Sequence, residues 1–226
     1  MGASGNLRAF AYGAVSRSSK LIAAVLLTTT AAQAETVTIA ALGDSLTQGY
    51  GLAQEDGFVP QLEAWLAAQG AEVEVINAGV SGDTTAGGLS RVAWTLTPDV
   101  DAMIVALGGN DYLRGLDPAV SRANLDGILA YGKEAGVDML LVGLSVGGNY
   151  GPDYRQEFES IYADLAAKYD VPLYSDFAAG LRAEAGSQDR MSAFLQSDGL
   201  HPNAEGVAVI VAAMGPTVLD LIASDD

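Results

Sequence analysis

The feature that most constrains the fold is a regular alternation of short apolar runs with longer helical patterns from residue 37 onward. The runs are unbroken and rich in β-branched residues, which is typical of strands covered on both faces of a parallel sheet. We predict strands at Val37–Leu42, Val73–Ile76, Ala102–Leu107, Met139–Leu144 and Val171–Tyr174. The alternation therefore predicts an α/β fold whose sheet is parallel.

The segments between these runs carry helical patterns, and in Asp153–Tyr169 the apolar residues recur at three-and-four spacing as one core stripe. We predict helices at Pro60–Gln69, Thr85–Thr95, Pro118–Ala135 and Asp153–Tyr169, and a last one from Asn203 to about Ser224 that Pro216 kinks or breaks. This order predicts one three-layer α/β/α domain with right-handed crossovers. Functional residues are then expected in the loops beyond the carboxyl ends of the strands.

The first 34 residues have the pattern of a secretory signal peptide. They contain three basic residues and no acidic one, then fourteen uncharged residues after Lys20, and they end in Ala32-Gln33-Ala34. This pattern predicts cleavage after Ala34, and fourteen residues are fewer than the roughly 20 that span a bilayer. An N-terminal core helix is the alternative. We expect a periplasmic or secreted protein with one domain over residues 35–226 and no stable membrane anchor.

Composition excludes several kinds of site and partner. The chain has no cysteine and one histidine, His201, which excludes disulfides, thiolate metal ligands, a cysteine nucleophile and a three-histidine zinc site. Eleven Lys and Arg against 28 Asp and Glu give a net charge of -17, which becomes -20 when the three basic residues of the leader are removed. Nucleic acid is not expected as a partner, because binding it needs a basic surface. No metal or cofactor is expected.

Two polar blocks stand at the ends of the domain. Ser45 lies in the turn just after the first strand, where its hydroxyl would be exposed at the carboxyl edge of the sheet and, if a helix starts there, near the free N–H groups of that helix. His201 follows Asp198 by three residues, so that the carboxylate could fix the imidazole for proton transfer from a serine. Taken alone, Ser45 could be a helix cap and His201 a structural residue.

Two further blocks follow the second and third strands. Gly79 would let a backbone N–H approach a ligand closely, unless it is a plain turn glycine. Asn110 offers a fixed amide donor to an oxyanion, unless it forms an Asx-turn. Asp111 is interpreted as a support of that loop, and Asp83 or Thr84 as the cap of the next helix.

Together these blocks resemble the SGNH, or GDSL, hydrolase superfamily. The matching blocks are Gly43-Asp44-Ser45-Leu46, Gly79 in Asn77-Ala78-Gly79, Gly109-Asn110-Asp111 and Asp198-Gly199-Leu200-His201. The likeness covers about Val37 to Ile222, and within the superfamily the chain resembles secreted bacterial arylesterases, acyl-CoA thioesterases and lysophospholipases.

The resemblance implies a flavodoxin-like sheet of about five parallel strands and a role for each matching residue. Ser45 would be the nucleophile, His201 the general base and acid, and Asp198 the residue that orients His201. The oxyanion donors would be the N–H groups of Ser45 and Gly79 and the side chain of Asn110.

The resemblance also implies a serine hydrolase with a small-molecule ester or thioester substrate, working through an acyl-enzyme on Ser45, and we expect the protein to be a monomer. Short-to-medium acyl esters, acyl-CoA and lysophospholipids are the expected substrates. Asp44 would shape the turn without a chemical role, and a single imidazole, that of His201, would then account for the acidic limb of the pH–rate profile.

Two other functions stay open at this point. One is a carbohydrate O-acetyl esterase acting on a cell-envelope or extracellular polysaccharide, which the same residues would serve. The other is a binding module that keeps the fold without the chemistry. Val146-Gly147-Gly148 departs from the proline and bulkier residues expected there in relatives, so the acyl-chain preference is left open.

Overall fold

The computed structural model describes residues 1–2 and 36–223. Residues 36–223 form one compact unit. The signal peptide expected over residues 1–34 lies outside the described residues except for its first two, and so does Ser224 at the expected end of the last helix.

Five parallel strands form the sheet, as the apolar runs predict. They are β1 Val37–Gly43, β2 Val73–Gly79, β3 Ala102–Ala106, β4 Asp138–Val142 and β5 Leu173–Tyr174. Their order across the sheet is β2-β1-β3-β4-β5, and every neighbouring pair is parallel. This is the flavodoxin-like order, so the expected fold class is confirmed.

Helices connect the strands, and all five predicted helices are present. They are α2 Phe58–Ala68, α3 Thr85–Thr95, α5 Pro118–Ala135, α6 Pro152–Tyr169 and α9 Ala204–Ile222. The last helix contains Pro216 and continues beyond it, so the predicted break is wrong. Short helices that the sequence patterns did not predict are α1 Ser45–Gln48, α4 Gly109–Leu113, α7 Ala179–Ala185 and α8 Gln188–Met191, with 3₁₀ turns at Gln54–Asp56 and Ser192–Phe194.

The sheet is covered on both faces, which explains its unbroken apolar strands. In β1, Ile39 and Ala41 belong to a core shared with α2 and α9, whereas Ala40 and Leu42 belong to a second core shared with α3, α5 and α6. Alternate residues of a strand point to opposite faces, so both sets must be apolar. By length and composition α9 could span a membrane, but its apolar residues supply the first core.

The strand order creates a crevice at one edge of the sheet. The chain moves from β1 to β2 on one side and then returns to place β3 on the other side of β1. The loops after β1 and β3 therefore diverge, and ligands of such sheets bind between them. Ser45 follows β1, and Asn110 follows β3.

Candidate active site

Ser45 is the first residue of the short helix α1. The preceding Asp44 is the N-cap, and its Oδ1 accepts a hydrogen bond from the N–H of Leu46 at 3.0 Å. The first N–H groups of a helix have no acceptor within the helix, so the N–H of Ser45 is available to a ligand. The turn thus presents the hydroxyl and the N–H of one residue at the carboxyl edge of the sheet.

His201 lies between Ser45 and Asp198. Its Nε2 is 2.9 Å from Ser45 Oγ, and its Nδ1 is 2.7 Å from Asp198 Oδ2. An ionised carboxylate can only accept, so Nδ1 carries the proton and the neutral ring leaves Nε2 free to accept from the serine. The three residues, distant in sequence, form one hydrogen-bonded line.

The loop that carries Asp198 and His201 is held by its own backbone. Asp198 Oδ1 accepts from the N–H groups of Leu200 at 2.9 Å and His201 at 3.0 Å. Gln196 closes the loop, because its N–H donates to the carbonyl of His201 at 2.8 Å. The Tyr50 ring lies 4.7 Å from the imidazole ring between centroids, so the imidazole is bounded on one side by an aromatic ring.

Hydrogen bonding lowers the pKa of Asp198 to about 2. The largest cause is the bond to His201, followed by the N–H groups of Leu200 and His201. Its side chain is 40% exposed, so burial contributes little against ionisation. Asp198 is therefore an anion at any pH at which the protein would work, as a residue that orients an imidazole must be.

Asn110 reaches the site from α4, which begins immediately after β3. Its Nδ2 donates to Asp44 Oδ2 at 3.3 Å. The turn into α4 passes through Gly108 with φ of +123°, and a Cβ there would lie 2.2 Å from the hydroxyl of Tyr162. That hydroxyl donates to the carbonyl of Leu107 at 2.9 Å, which fixes the end of the strand behind Asn110.

Asp111 supports the loop, as the sequence analysis interprets it. The side chain is 1% exposed and accepts from Thr85 N at 2.9 Å, Thr85 Oγ1 at 2.6 Å and Ser121 Oγ at 3.0 Å. It therefore ties α4 to the starts of α3 and α5.

Gly79 does not reach the site as the sequence analysis expects. Its N–H donates to Asn77 Oδ1 at 3.0 Å, and a Cβ there would lie 2.3 Å from the backbone nitrogen of Gln48. Gly79 is a glycine because α1 packs directly on it. Three residues later, Gly82 with φ of +80° lines the same cavity as Ser45, and its N–H donates no hydrogen bond within residues 36–223.

Arg91 is a site residue that the sequence analysis missed. Its guanidinium donates to Asp83 Oδ2 at 2.8 Å and to the carbonyls of Ala78 at 2.6 Å and Gly43 at 2.8 Å. The group ties the end of β1, two residues before Ser45, to the loop that carries Gly82. One signal was available: Arg91 is the single charged residue of the predicted helix Thr85–Thr95.

These groups open onto a cavity of about 340 Å³. Its polar lining includes Ser45, Gly82, Asn110 and His201. The rest of the lining is mainly apolar and includes Leu46, Tyr112, Leu113, Leu144, Val146 and Leu200, with Gly147 beside them. A few polar groups in a mainly apolar cavity suit a carbonyl group with an attached hydrocarbon chain.

Asp44 is the second carboxyl group of the site, and burial raises its pKa to about 6. The side chain is 4% exposed, so the loss of hydration outweighs the hydrogen bond from Leu46, the charge of His201 and the hydrogen bond from Asn110. Within residues 1–2 and 36–223, no group of three or more His, Asp and Glu could hold a metal ion.

The chain is similar in sequence and in structure to known esterases. Residues 41–209 match the model of the GDSL-like Lipase/Acylhydrolase family. The chain is 35% identical to esterase TesA of Pseudomonas aeruginosa, over 90% of this chain and 97% of that protein. It is 34% identical to thioesterase 1/protease 1/lysophospholipase L1 of Escherichia coli K12, over 89% and 91%. The crystal structure of AlinE4, an SGNH-hydrolase family esterase, matches with a TM-score of 0.67 and 43% identity, over 83% of this chain and 97% of that one.

Proposed function

The chain belongs to the GDSL-like lipase/acylhydrolase family and is a serine ester hydrolase, and we propose that Ser45, His201 and Asp198 are its catalytic triad. The observation that carries the proposal is the continuous hydrogen-bonded line from Asp198 through His201 to Ser45, at 2.7 and 2.9 Å. The arrangement matches the needs of acyl transfer: a hydroxyl, a base within reach of its proton, and an anion that orients the base.

Acylation begins when Ser45 Oγ attacks the ester carbonyl carbon and His201 Nε2 takes the hydroxyl proton. The carbonyl oxygen becomes an oxyanion that accepts hydrogen bonds from the Ser45 N–H, the Gly82 N–H and the Asn110 side chain. Gly82 replaces Gly79 in this proposal, because the N–H of Gly79 is already bonded to Asn77.

The intermediate collapses when the bond to the leaving group breaks and His201 returns its proton to the departing alcohol or thiol. Water then attacks the acyl-enzyme with His201 again as base, and the acid product leaves Ser45 with its proton restored. The negative charge of Asp198 stabilises the imidazolium that forms in both halves of the cycle.

The mainly apolar lining of the cavity supports the proposal that the enzyme cleaves esters with acyl chains of short to medium length. One relative is named a thioesterase and lysophospholipase, and we extend to this chain the cleavage of acyl thioesters and lysophospholipids. Tyr50 and Tyr112 line the cavity, but its lining is mainly apolar, and a carbohydrate O-acetyl esterase is not favoured.

The same proposal includes a monomer exported by a signal peptide that is cut after Ala34. The sequence pattern of residues 1–34 supports the export, and residues 35–226 would form the mature enzyme. Mass spectrometry of the protein from the exported fraction tests the cleavage point, because a mature chain must begin at Glu35.

A series of p-nitrophenyl esters from acetate to palmitate tests the activity, with an acyl-CoA assay beside it. We expect a maximum at short-to-medium chains and only residual turnover by Ser45→Ala. A protein that hydrolyses none of these esters, or a Ser45→Ala variant as active as the unaltered enzyme, would contradict the proposal.

A further inference from the structure

Asp44 holds the side chain of Asn110 in one orientation. Both oxygens of the carboxylate are engaged: Oδ1 accepts from Leu46 N at 3.0 Å and Oδ2 accepts from Asn110 Nδ2 at 3.3 Å. Gly109 leaves room for the contact, because a Cβ at that position would lie 3.2 Å from Oδ2. The carboxylate therefore lies against the turn from which Asn110 projects.

The carboxylate decides which end of the Asn110 amide faces it. An ionised carboxyl group only accepts, so it selects the NH₂ end of the amide and not the oxygen. One hydrogen of that NH₂ group then points to Asp44, and the second remains for an oxyanion in the cavity. A neutral partner would not make this selection, because it could equally donate to the amide oxygen.

Protonation of Asp44 removes its control of the Asn110 amide, whichever of the two carboxyl oxygens takes the proton. A proton on Oδ2 places an O–H against the NH₂ group of Asn110, and a proton on Oδ1 places it against the N–H of Leu46. In the first case the amide turns its oxygen to Asp44, and in the second the helix cap beside Ser45 is lost.

We propose that Asp44 is a positioning residue of the ester hydrolase, which in its carboxylate form orients Asn110 as an oxyanion donor. The inference rests on the proposed function and adds a second ionisation to it. Activity then requires both the carboxylate of Asp44 and the neutral imidazole of His201, so the acidic limb of the pH–rate profile contains two ionisations and not one.

The charged and titratable groups around Asp44 place its ionisation in the working range. Burial raises the pKa of Asp44 to about 6; the charge of His201 from the last loop favours the anion, and Asp111 from α4 disfavours it. The Tyr162 hydroxyl from α6 also interacts with Asp44, and burial raises its own pKa so far that it stays neutral.

The test compares the unaltered enzyme with Asp44→Asn, Asn110→Ala and the double variant, using a p-nitrophenyl ester between about pH 4 and 9. Asp44→Asn should lower kcat by about 10- to 100-fold with KM within about twofold, less than the roughly 10²- to 10³-fold loss from removing the donor itself in Asn110→Ala. The double variant should be no slower than Asn110→Ala, because both changes act through one amide.

The pH profile separates positioning from a merely structural role. In the unaltered enzyme, log kcat/KM should approach a slope of two below both ionisations, and in Asp44→Asn the slope should fall to one. A slope of one in the unaltered enzyme overturns the inference even if Asp44→Asn does not fold. Multiplicative losses in the double variant also overturn it.

The outcomes distinguish this inference from the function on which it rests. If hydrolysis depends on Ser45 but Asp44→Asn keeps the full kcat, only the role of Asp44 fails. If hydrolysis does not depend on Ser45, the proposed function itself fails.

Discussion

The half of the site that carries Ser45 and the half that carries His201 are built in different ways. The Ser45 half is anchored by buried polar side chains, with Asp44 4% and Asp111 1% exposed. The His201 half is a surface loop in which the Asp198 side chain is 40% exposed and is held by N–H groups of its own loop. One half depends on the packing of the domain, and the other mainly on local hydrogen bonds.

The contrast shows how one site keeps two carboxyl groups in different states. Hydrogen bonds in the exposed loop lower the pKa of Asp198 to about 2, whereas burial raises the pKa of Asp44 to about 6. Asp198 is a fixed charge, and Asp44 titrates in the range where the enzyme would work. The surroundings of each carboxyl group, and not its residue type, decide its role.

The opposite shifts have opposite effects on stability. The folded chain holds the Asp44 proton to a higher pH than the unfolded chain does. Protonated Asp44 therefore stabilises the folded state below about pH 4, and this contribution is lost as pH rises through about 6. The ionised Asp198 contributes stability above about pH 4, and this is lost as pH falls through about 2.

The largest effect should come from one residue of each half. Ser45→Ala and His201→Ala should each lower kcat/KM by about 10⁴- to 10⁶-fold, because the triad acts as a unit and only binding and the oxyanion donors remain. Thermal unfolding checks that both variants fold. A His201→Ala variant within about 10-fold of the unaltered enzyme would remove His201 from the chemistry.

Asp198→Asn should have the next largest effect, mainly on activity. We expect kcat to fall by about 10³- to 10⁴-fold, because the amide no longer fixes the tautomer of His201. The Tm should fall only slightly, because the side chain is 40% exposed and the amide oxygen of Asn can still accept from the N–H groups of Leu200 and His201. Asp111→Asn is the matched change in the buried half and should instead lower the Tm, since a buried NH₂ group replaces an acceptor. Equal Tm losses in the two variants would contradict the comparison.

Arg91→Gln should lower both activity and stability, because it loosens the backbone of the half of the site that carries Ser45. Three hydrogen bonds are lost, so we expect kcat to fall by about 10-fold and stability by about 1–3 kcal/mol. Arg91→Lys should not restore either, because an ammonium cannot reach three acceptors in the guanidinium geometry. Arg122→Gln is the control, since Arg122 contacts Ser160 and Asp164 on α6 and should leave kcat unchanged. Full rescue by Arg91→Lys would show that charge alone matters.

The smallest effect should be a change of substrate preference. Gly147→Val places a side chain beside the Tyr112 hydroxyl, which a Cβ alone would approach to 2.7 Å, and so fills the apolar part of the cavity. We expect the ratio of butyrate to acetate turnover to fall by about 3- to 10-fold. Gly148→Val is the control, because a Cβ there meets no atom within 4 Å. The same ratio in both variants would exclude Gly147 from the acyl pocket.

The sequence predicts those residues of the site that stand out as polar blocks beside apolar strands. The strands and the convergence of Ser45, Asn110, Asp198 and His201 follow from short apolar runs and the polar blocks beside them, whereas the flavodoxin-like sheet is implied only by the family resemblance. Arg91 could not be found in this way, because its acceptors are carbonyls brought together only by folding.

Two other features depend on the course of the chain in space. Gly79 and Gly82 lie in the same block, and only the path of the loop decides which N–H reaches the cavity. The burial of Asp44 also cannot be predicted from the sequence, in which Asp44 has the pattern of a turn residue. Asp44 lies close to Asn110 because β1 pairs with β3 in the sheet.

Covalent labelling with a fluorophosphonate tests the central claim most directly, because the reagent reacts with an activated serine. Peptide mass spectrometry of the labelled protein should find the adduct on Ser45 alone, with labelling much slower in His201→Ala and complete loss of esterase activity on labelling. An adduct on another serine, or ester hydrolysis that persists after Ser45 is fully labelled, would contradict the account.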